Sequence, residues 1–183
     1  MLIGLTGTNG AGKGEVAKYL KKKGLAYFSL SDILREELNK KGLEISRENL
    51  QNLGNELRKK FGSGVLAEKA IEKIKDNTLI DSIRNPKEIE KLREFASKSG
   101  IDFFLLSVDA PVELRFKRLK KRGRLESAET LEEFKKREQL EMGKEVYQQQ
   151  LDTCMKMADY FIVNDGTLEE LFDKVDKILE EIK

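Results

Sequence analysis

Histidine and tryptophan are absent from this chain of 183 residues, and cysteine occurs once, at Cys154. Without histidine there is no Ser-His-Asp triad, no histidine acid–base pair and no histidine-liganded zinc hydrolase centre. A single cysteine closes no internal disulfide and builds no thiolate metal cluster. Two prolines and no low-complexity stretch leave nothing to mark a linker, so one domain is expected, large enough to bury a substantial core. No apolar run approaches the ~20 residues of a spanning helix. Charges nearly cancel, since 35 Lys and Arg against 33 Asp and Glu give a formal net charge of +2. No global field draws such a chain to nucleic acid or to an anionic membrane, and neither is expected as a partner. The N-terminus enters an apolar, strand-like segment at once, which leaves no room for a signal peptide; the cytoplasm is the expected compartment.

What is present begins with that segment, Leu2-Ile3-Gly4-Leu5-Thr6. It runs into Gly7-Thr8-Asn9-Gly10-Ala11-Gly12-Lys13 and then into Gly14-Glu15, after which Val16, Ala17 and Leu20 fall at helical spacing. Strand, glycine-rich turn and helix form the context of a phosphate-binding loop. Glycines let the backbone aim successive N–H groups at an anion, and the helix adds its positive end. Lys13 reaches the β- and γ-phosphates of a nucleotide, so residues 7–15 are the expected ATP site. The residue after the lysine usually carries a hydroxyl that touches Mg²⁺; here it is Gly14, and Glu15 follows. The ion would then be held by phosphates, water and an acidic side chain elsewhere. Glu15 either points at the metal or simply occupies the first helical turn, where carboxylates are favoured.

Strand-like and helical patterns alternate along the chain, which predicts an α/β fold with a mainly parallel five-stranded sheet. Strands are expected over residues 2–6, 25–29, 78–81, 102–108 and 160–163, with 102–108, the most apolar, at the centre. Helices are expected over 13–23, 31–41, 46–60, 63–75, 86–98, 111–122, 130–157 and 167–182. The helical pieces over 31–62 exceed what a crossover needs and form a candidate substrate-binding insertion.

Ser31 or Asp32 is the expected N-cap of the second helix, with Arg35 one turn in. A guanidinium grips a phosphate through two donors and does not titrate; the alternative is an ion pair in solvent. Asp81 ends a short buried strand, the edge at which open α/β sheets bind ligands; it either orders Mg²⁺ or caps the next helix. Arginines 115, 118 and 122 fall at helical spacing and make one basic face, with Arg124, Lys135, Lys136 and Arg137 further on. Asn164-Asp165-Gly166 is a turn, and Thr167 is the expected cap of a final amphipathic helix.

Several of these stretches resemble phosphate-loop kinases. Gly10-Ala11-Gly12-Lys13-Gly14 resembles the adenylate kinase loop, with Glu15 where that loop has Thr. Asp32-Ile33-Leu34-Arg35 resembles the acceptor-side Asp-x-x-Arg of nucleoside monophosphate kinases. Asp81-Ser82-Ile83-Arg84-Asn85-Pro86 resembles their Asp-Gly-x-Pro-Arg signature in altered order, with Ser82 for Gly. The segment from Ala158 to Leu171 is similar to the close of dephospho-coenzyme A kinases, where the turn lies near adenine. Asp81 to Pro86 and Val108 to Pro111 also resemble the phosphate-loop domain joined to deoxycytidylate deaminases. The resemblance spans nearly the whole chain. It implies a three-layer α/β/α kinase domain that uses ATP and Mg²⁺. Catalytic roles are implied for Lys13, Asp81, Arg118, Arg122 and Arg137, and for Arg124 as a further lid arginine. Acceptor binding is implied for Asp32, Arg35 and Arg84, adenine contact for Asn164, the metal for Asp81, and a short lid for about 118–137. The implied acceptor is a nucleoside monophosphate or dephospho-coenzyme A. A nucleotide sensor without turnover is the reading of another class, prompted by the missing hydroxyl at positions 14 and 15.

Overall fold

The structure, a computed structural model, describes residues 1–75, 77–123, 130–143 and 145–182. Among these the chain runs β1 (Leu2–Thr6), α1 (Lys13–Lys22), β2 (Ala26–Ser29), α2 (Leu30–Lys40), α3 (Arg47–Phe61), α4 (Val65–Ile71) and β3 (Thr78–Asp81). It continues through α5 (Pro86–Ser99), β4 (Phe103–Asp109), α6 (Val112–Lys121), α7 (Leu131–Glu141), α8 (Leu151–Lys156), β5 (Tyr160–Val163) and α9 (Leu168–Glu181).

The sheet order is β2-β3-β1-β4-β5, with every pairing parallel. Alternation along the strands divides the core between two faces. Leu2, Ile80 and Leu105 pack with Ile33, Leu53, Leu66, Ile89 and Cys154 from α2, α3, α4, α5 and α8. Ile3, Leu5, Leu79 and Leu106 pack with Val16, Leu20, Leu171 and Val175 from α1 and α9. The result is the expected three-layer α/β/α arrangement. The middle strand is β1, not the more apolar β4, which lies beside it. All five residues of β1 are buried. Gly4 lets its neighbours close in, since a Cβ there would stand 2.8 Å from Ile83 Cδ1.

Local chemistry sets the helix starts. Asn85 caps α5 in a reciprocal box with Glu88, and Pro86 takes the first turn, where its missing N–H costs nothing. Thr167 caps α9 in the same way, as expected. The α2 cap is Ser29, whose hydroxyl accepts from the Ser31 N–H at 3.3 Å, instead of Ser31 or Asp32. The helix expected over 63–75 ends at Ile71. The long helix expected over 130–157 is two helices, α7 and α8. Between them Gly143 leaves room for Gln148 to fold close, and Met142 bridges to Gln150. Asn85 Nδ2 donates to the carbonyls of Val146 and Gln148, at 2.7 and 2.9 Å, and holds this segment against the start of α5. Among the described residues no helix is long and apolar enough to cross a membrane.

Candidate active site

The loop over residues 7–12 turns β1 into α1, and its glycines answer to close contacts. Gly7 has φ of 128°, and a Cβ there would stand 2.0 Å from the Val108 carbonyl oxygen. Gly12 has φ of 111°, and a Cβ would stand 2.2 Å from Asn164 Nδ2. Neither position accommodates a side chain. That Nδ2 donates to the Ala11 carbonyl at 2.7 Å, while the Asn164 backbone N–H donates to the Asp109 carbonyl, also at 2.7 Å. Asn164 thus fastens the loop to the ends of β4 and β5. Lys13 folds back over the loop, its Nζ donating to the carbonyls of Gly7 and Thr8 at 2.7 and 2.8 Å.

A second strut was not legible in the sequence. Arg115 does not share the exposed basic face with Arg118 and Arg122; it is only 6% exposed. Its Nε donates to the Ala110 carbonyl at 2.7 Å and its Nη1 to the Asn9 carbonyl at 3.2 Å, with Glu138 of α7 as ion-pair partner. Thr8 Oγ1 donates to Asp109 beside it. The loop is therefore held from behind by α6 and α7.

A cleft of about 510 Å³ joins this loop to the carboxyl ends of β2 and β3. Lys13, Gly14, Glu15 and Arg122 line it on the loop side, and Arg35, Arg47, Arg58, Asp81 and Arg84 line it on the other. Asp81 is not the cap of α5. Its Oδ1 accepts from the Ser82 N–H at 2.6 Å and its Oδ2 from the Tyr27 hydroxyl at 3.2 Å. Burial, and next the Asp81 charge, push the Tyr27 hydroxyl up to about 12, so it stays a proton donor to the carboxylate at neutral pH. Ser82 has φ of 67°, a left-handed geometry that explains why the resembled signature places glycine there. Its hydroxyl accepts from Ser29 Oγ at 3.0 Å.

The expected acceptor residues divide. Arg35 and Arg84 both line the cleft; Arg35 also pairs with Asp32 at 2.7 Å, and Arg84 Nη1 donates to Gln149 Oε1 at 3.4 Å. Asp32 stands outside the cleft lining, half-exposed in that pair. Arg47 and Arg58, both on α3, were missed. The signal for Arg58 was faint: Gln51, Gly54 and Arg58 recur at helical spacing on the inward face of α3.

Of the expected lid residues, Arg118 donates through Nη1 to the Asn164 carbonyl at 3.0 Å. With Gly12, Asn164 and Gly166 it lines a side pocket of about 270 Å³. Burial, and then the neighbouring Arg122, hold the Arg118 guanidinium below its usual range. Arg122 Nη2 meets Glu15 Oε1 at 3.4 Å, so Glu15 faces two cations, the other being Lys18 at 3.3 Å. Arg137 lies apart from the cleft, its guanidinium 5.8 Å from the Phe134 ring centre. Arg124 falls outside the described residues.

Among the described residues no group of three or more His, Cys, Asp or Glu is placed to hold a metal ion. Each Asp81 oxygen accepts one hydrogen bond among the described residues, so lone pairs remain. That donor set fits Mg²⁺ bound by one carboxylate together with phosphates and water, and does not fit an all-protein cage.

Comparison with known proteins agrees with this architecture. Residues 6–135 match the family model described as an AAA domain. The crystal structure of shikimate kinase from Aquifex aeolicus superimposes with a TM-score of 0.59 at 18% identity, covering 99% of this chain and 97% of that one. The APS kinase of Mycobacterium tuberculosis, in complex with AMPPNP and APS, gives 0.56 at 19% identity, covering 98% and 96%. The fold is thus that of phosphate-loop kinases. A UPF0200 protein of Sulfurisphaera tokodaii is 36% identical over 185 residues, covering 99% of this chain and 97% of its relative. One from Thermococcus onnurineus is 33% identical over 190 residues, covering 100% and 98%. The chain belongs to the UPF0200 family.

Proposed function

We propose that the chain is an ATP- and Mg²⁺-dependent phosphotransferase whose acceptor is a nucleoside monophosphate. The observation that carries the reading is the shared cleft, with Lys13 and the loop amides on one side and Asp81 and the arginines on the other. Lys13 exchanges its bonds to the Gly7 and Thr8 carbonyls for the β- and γ-phosphates. Arg35 and Arg84 orient the acceptor phosphate, one oxygen of which attacks the γ-phosphorus as the bond to the ADP oxygen breaks. Asp81, held by Tyr27 and Ser82, would hold the metal. Mg²⁺, when bound, neutralises charge on the transferring group. Arg118 and the turn at Asn164 flank the adenine, and Arg122 approaches the phosphates. The lid expected over about 118–137 falls partly outside the described residues, and Arg137, beside Phe134 on α7, is given no contact with the phosphates in this reading. The insertion over 31–62 carries the acceptor site.

Dephospho-coenzyme A, whose nucleophile is a hydroxyl, is the weaker acceptor reading. Hydroxyl transfer uses a base, for which Asp81 or Asp32 is the candidate; Asp32 stands outside the cleft, and Asp81, which lines it, is assigned to the metal here. The Glu15–Arg122 contact favours one other reading, a nucleotide sensor in which loop and lid base are latched and transfer is slow.

The test is ADP release with ATP and Mg²⁺ against CMP, dCMP, UMP, dTMP, AMP, GMP and dephospho-coenzyme A, with Lys13→Ala run beside the wild type. Release that depends on an acceptor and is lost in the variant is the expected result. Tight ATP binding without release for any acceptor would replace the kinase reading with the sensor.

A further inference from the structure

Arg58 is 3% exposed, yet it lines the cleft. Its Nε and Nη2 both donate to Glu88 Oε1, at 3.0 and 2.8 Å. Its Nη1 is buried and has no hydrogen-bond partner among the described residues. A buried donor left unpaired is costly, and natural structures keep few of them. The neighbouring position on α3 is Gly54, where a Cβ would stand 3.1 Å from Nη1 and 3.4 Å from Leu34 Cδ1. Glycine inside a helix is itself unfavourable; here it gives the Arg58 guanidinium room to pack against α3, so the unpaired Nη1 is what is left to explain, and a ligand atom reaching it from the cleft would pair it. Gln51, one further turn back, lines the same cleft, as do Leu34 and Leu66.

The charge balance narrows the ligand group. Glu88 is fully buried and already neutralises Arg58. A second anion at Nη1 would face the Glu88 carboxylate across a weakly screening interior. A carbonyl oxygen or ring nitrogen accepts the same hydrogen bond without that repulsion, and the Gln51 amide adds one acceptor and a donor pair. The apolar side chains of Leu34 and Leu66 line the same cleft and suit a ring.

We propose that Arg58 Nη1, seated against Gly54, and Gln51 read the hydrogen-bonding edge of the acceptor's nucleobase. The inference rests on the reading of the acceptor as a nucleoside monophosphate. Glu88 is a positioning residue here, holding the guanidinium while its Oε2 accepts from the N–H groups of Arg84 and Asn85 at 2.9 and 3.0 Å. One carboxylate thereby sets the base-reading donor and the backbone beneath the phosphate-binding arginine together.

Calorimetric binding of CMP, UMP, AMP, GMP and ribose 5-phosphate to the full chain tests this without turnover. Replacing Arg58 strands Glu88 and endangers the fold, so the informative variants are Gly54→Ala, which alanine's helix preference supports, and Gln51→Leu. The wild type should prefer one nucleotide over ribose 5-phosphate by at least about tenfold. Both variants should lose most of that preference while ribose 5-phosphate binds as before and the unfolding midpoint holds. Equal weakening of nucleotide and ribose 5-phosphate would show that α3 holds the phosphate, and overturns the inference. An unchanged preference in both variants, or a wild type without preference, also overturns it and leaves the phosphotransferase standing. A wild type that binds no member of the panel removes the nucleotide-acceptor reading, and this inference with it.

Discussion

The loop side of the cleft is assembled from residues 6–15 and braced from behind by Arg115, Asp109 and Asn164, whose contacts are mostly to backbone carbonyls and N–H groups. The arginine side is assembled from α2, α3, the end of β3 and the segment before α8, elements far apart in the chain, with the buried Arg58–Glu88 pair and the Asn85 amide at the junctions. The loop side is one continuous stretch whose geometry local chemistry sets, and the arginine side depends on pairs between distant elements. On the proposed reading the loop side is the generic half of the molecule and the arginine side, which takes the acceptor, its specific half.

The largest effect expected from breaking one half alone is that of Lys13→Ala. On the proposed reading Lys13 is the loop side's cation for the transferring phosphate, and its loss should lower turnover by about 10³-fold. Lys13 donates to two loop carbonyls at the cleft edge and is not part of the core, so circular dichroism and the unfolding midpoint should match the wild type. Turnover within a few fold of the wild type would remove the loop from the mechanism.

Next in size is the junction of the other half. Arg58→Met leaves the Glu88 carboxylate buried and uncompensated, which should cost about 3–5 kcal/mol in urea unfolding. Arg58→Met with Glu88→Leu should recover much of that loss, because the desolvation penalty of both charges is removed as well. ATP affinity of the double variant should stay near the wild type, since neither residue touches the loop. A double variant as unstable as the single one would mean that the pair does more than hold two helices together.

Legibility followed the same division. Strand, glycine turn and helix at 2–22 lie in one continuous stretch, and their geometry follows from local chemistry that a sequence displays. The strands and the cap at Thr167 were legible for similar reasons, whereas Arg84, and in part Arg35, which both line the cleft, were named through the resemblance to kinase signatures. Arg115 was not: periodicity placed it with Arg118 and Arg122, and only the distant Glu138 shows that it turns inward. Arg58 was hidden in the same way by Glu88, thirty residues on. The segment between α7 and α8 looked helical because the anchor that pulls it out of a helix, Asn85, lies far away in the chain. Long-range partners decide these positions, and a single sequence names residues without naming partners.

A smaller effect is expected at the loop brace. Asn164→Ala removes the bond to the Ala11 carbonyl and leaves that acceptor without its partner, at a cost of about 1–2 kcal/mol. The loop then holds its turn less firmly, so ATP affinity should fall by about tenfold, while acceptor binding measured without ATP should hold. An equal fall in both affinities would show that the two halves are mechanically one.

Cys154 gives the gentlest test, because nothing need be mutated. The thiol is fully buried in the core cluster shared by α2, α3, α4 and α5, on the arginine side of the sheet. Burial, and next the Glu88 charge, raise its pKa well above the ordinary thiol range, so the reactive thiolate is scarce while the core is closed. A thiol reagent at pH 8 should modify the native chain at least about a hundredfold more slowly than the urea-unfolded chain, at a rate set by local opening of this half. If the halves are energetically separate, a bound acceptor nucleotide should slow the labelling and ATP alone should leave it nearly unchanged. Equal protection by either ligand would mean that the opening which exposes Cys154 also dismantles the loop. The division between generic and specific halves would then be one of sequence and not of stability.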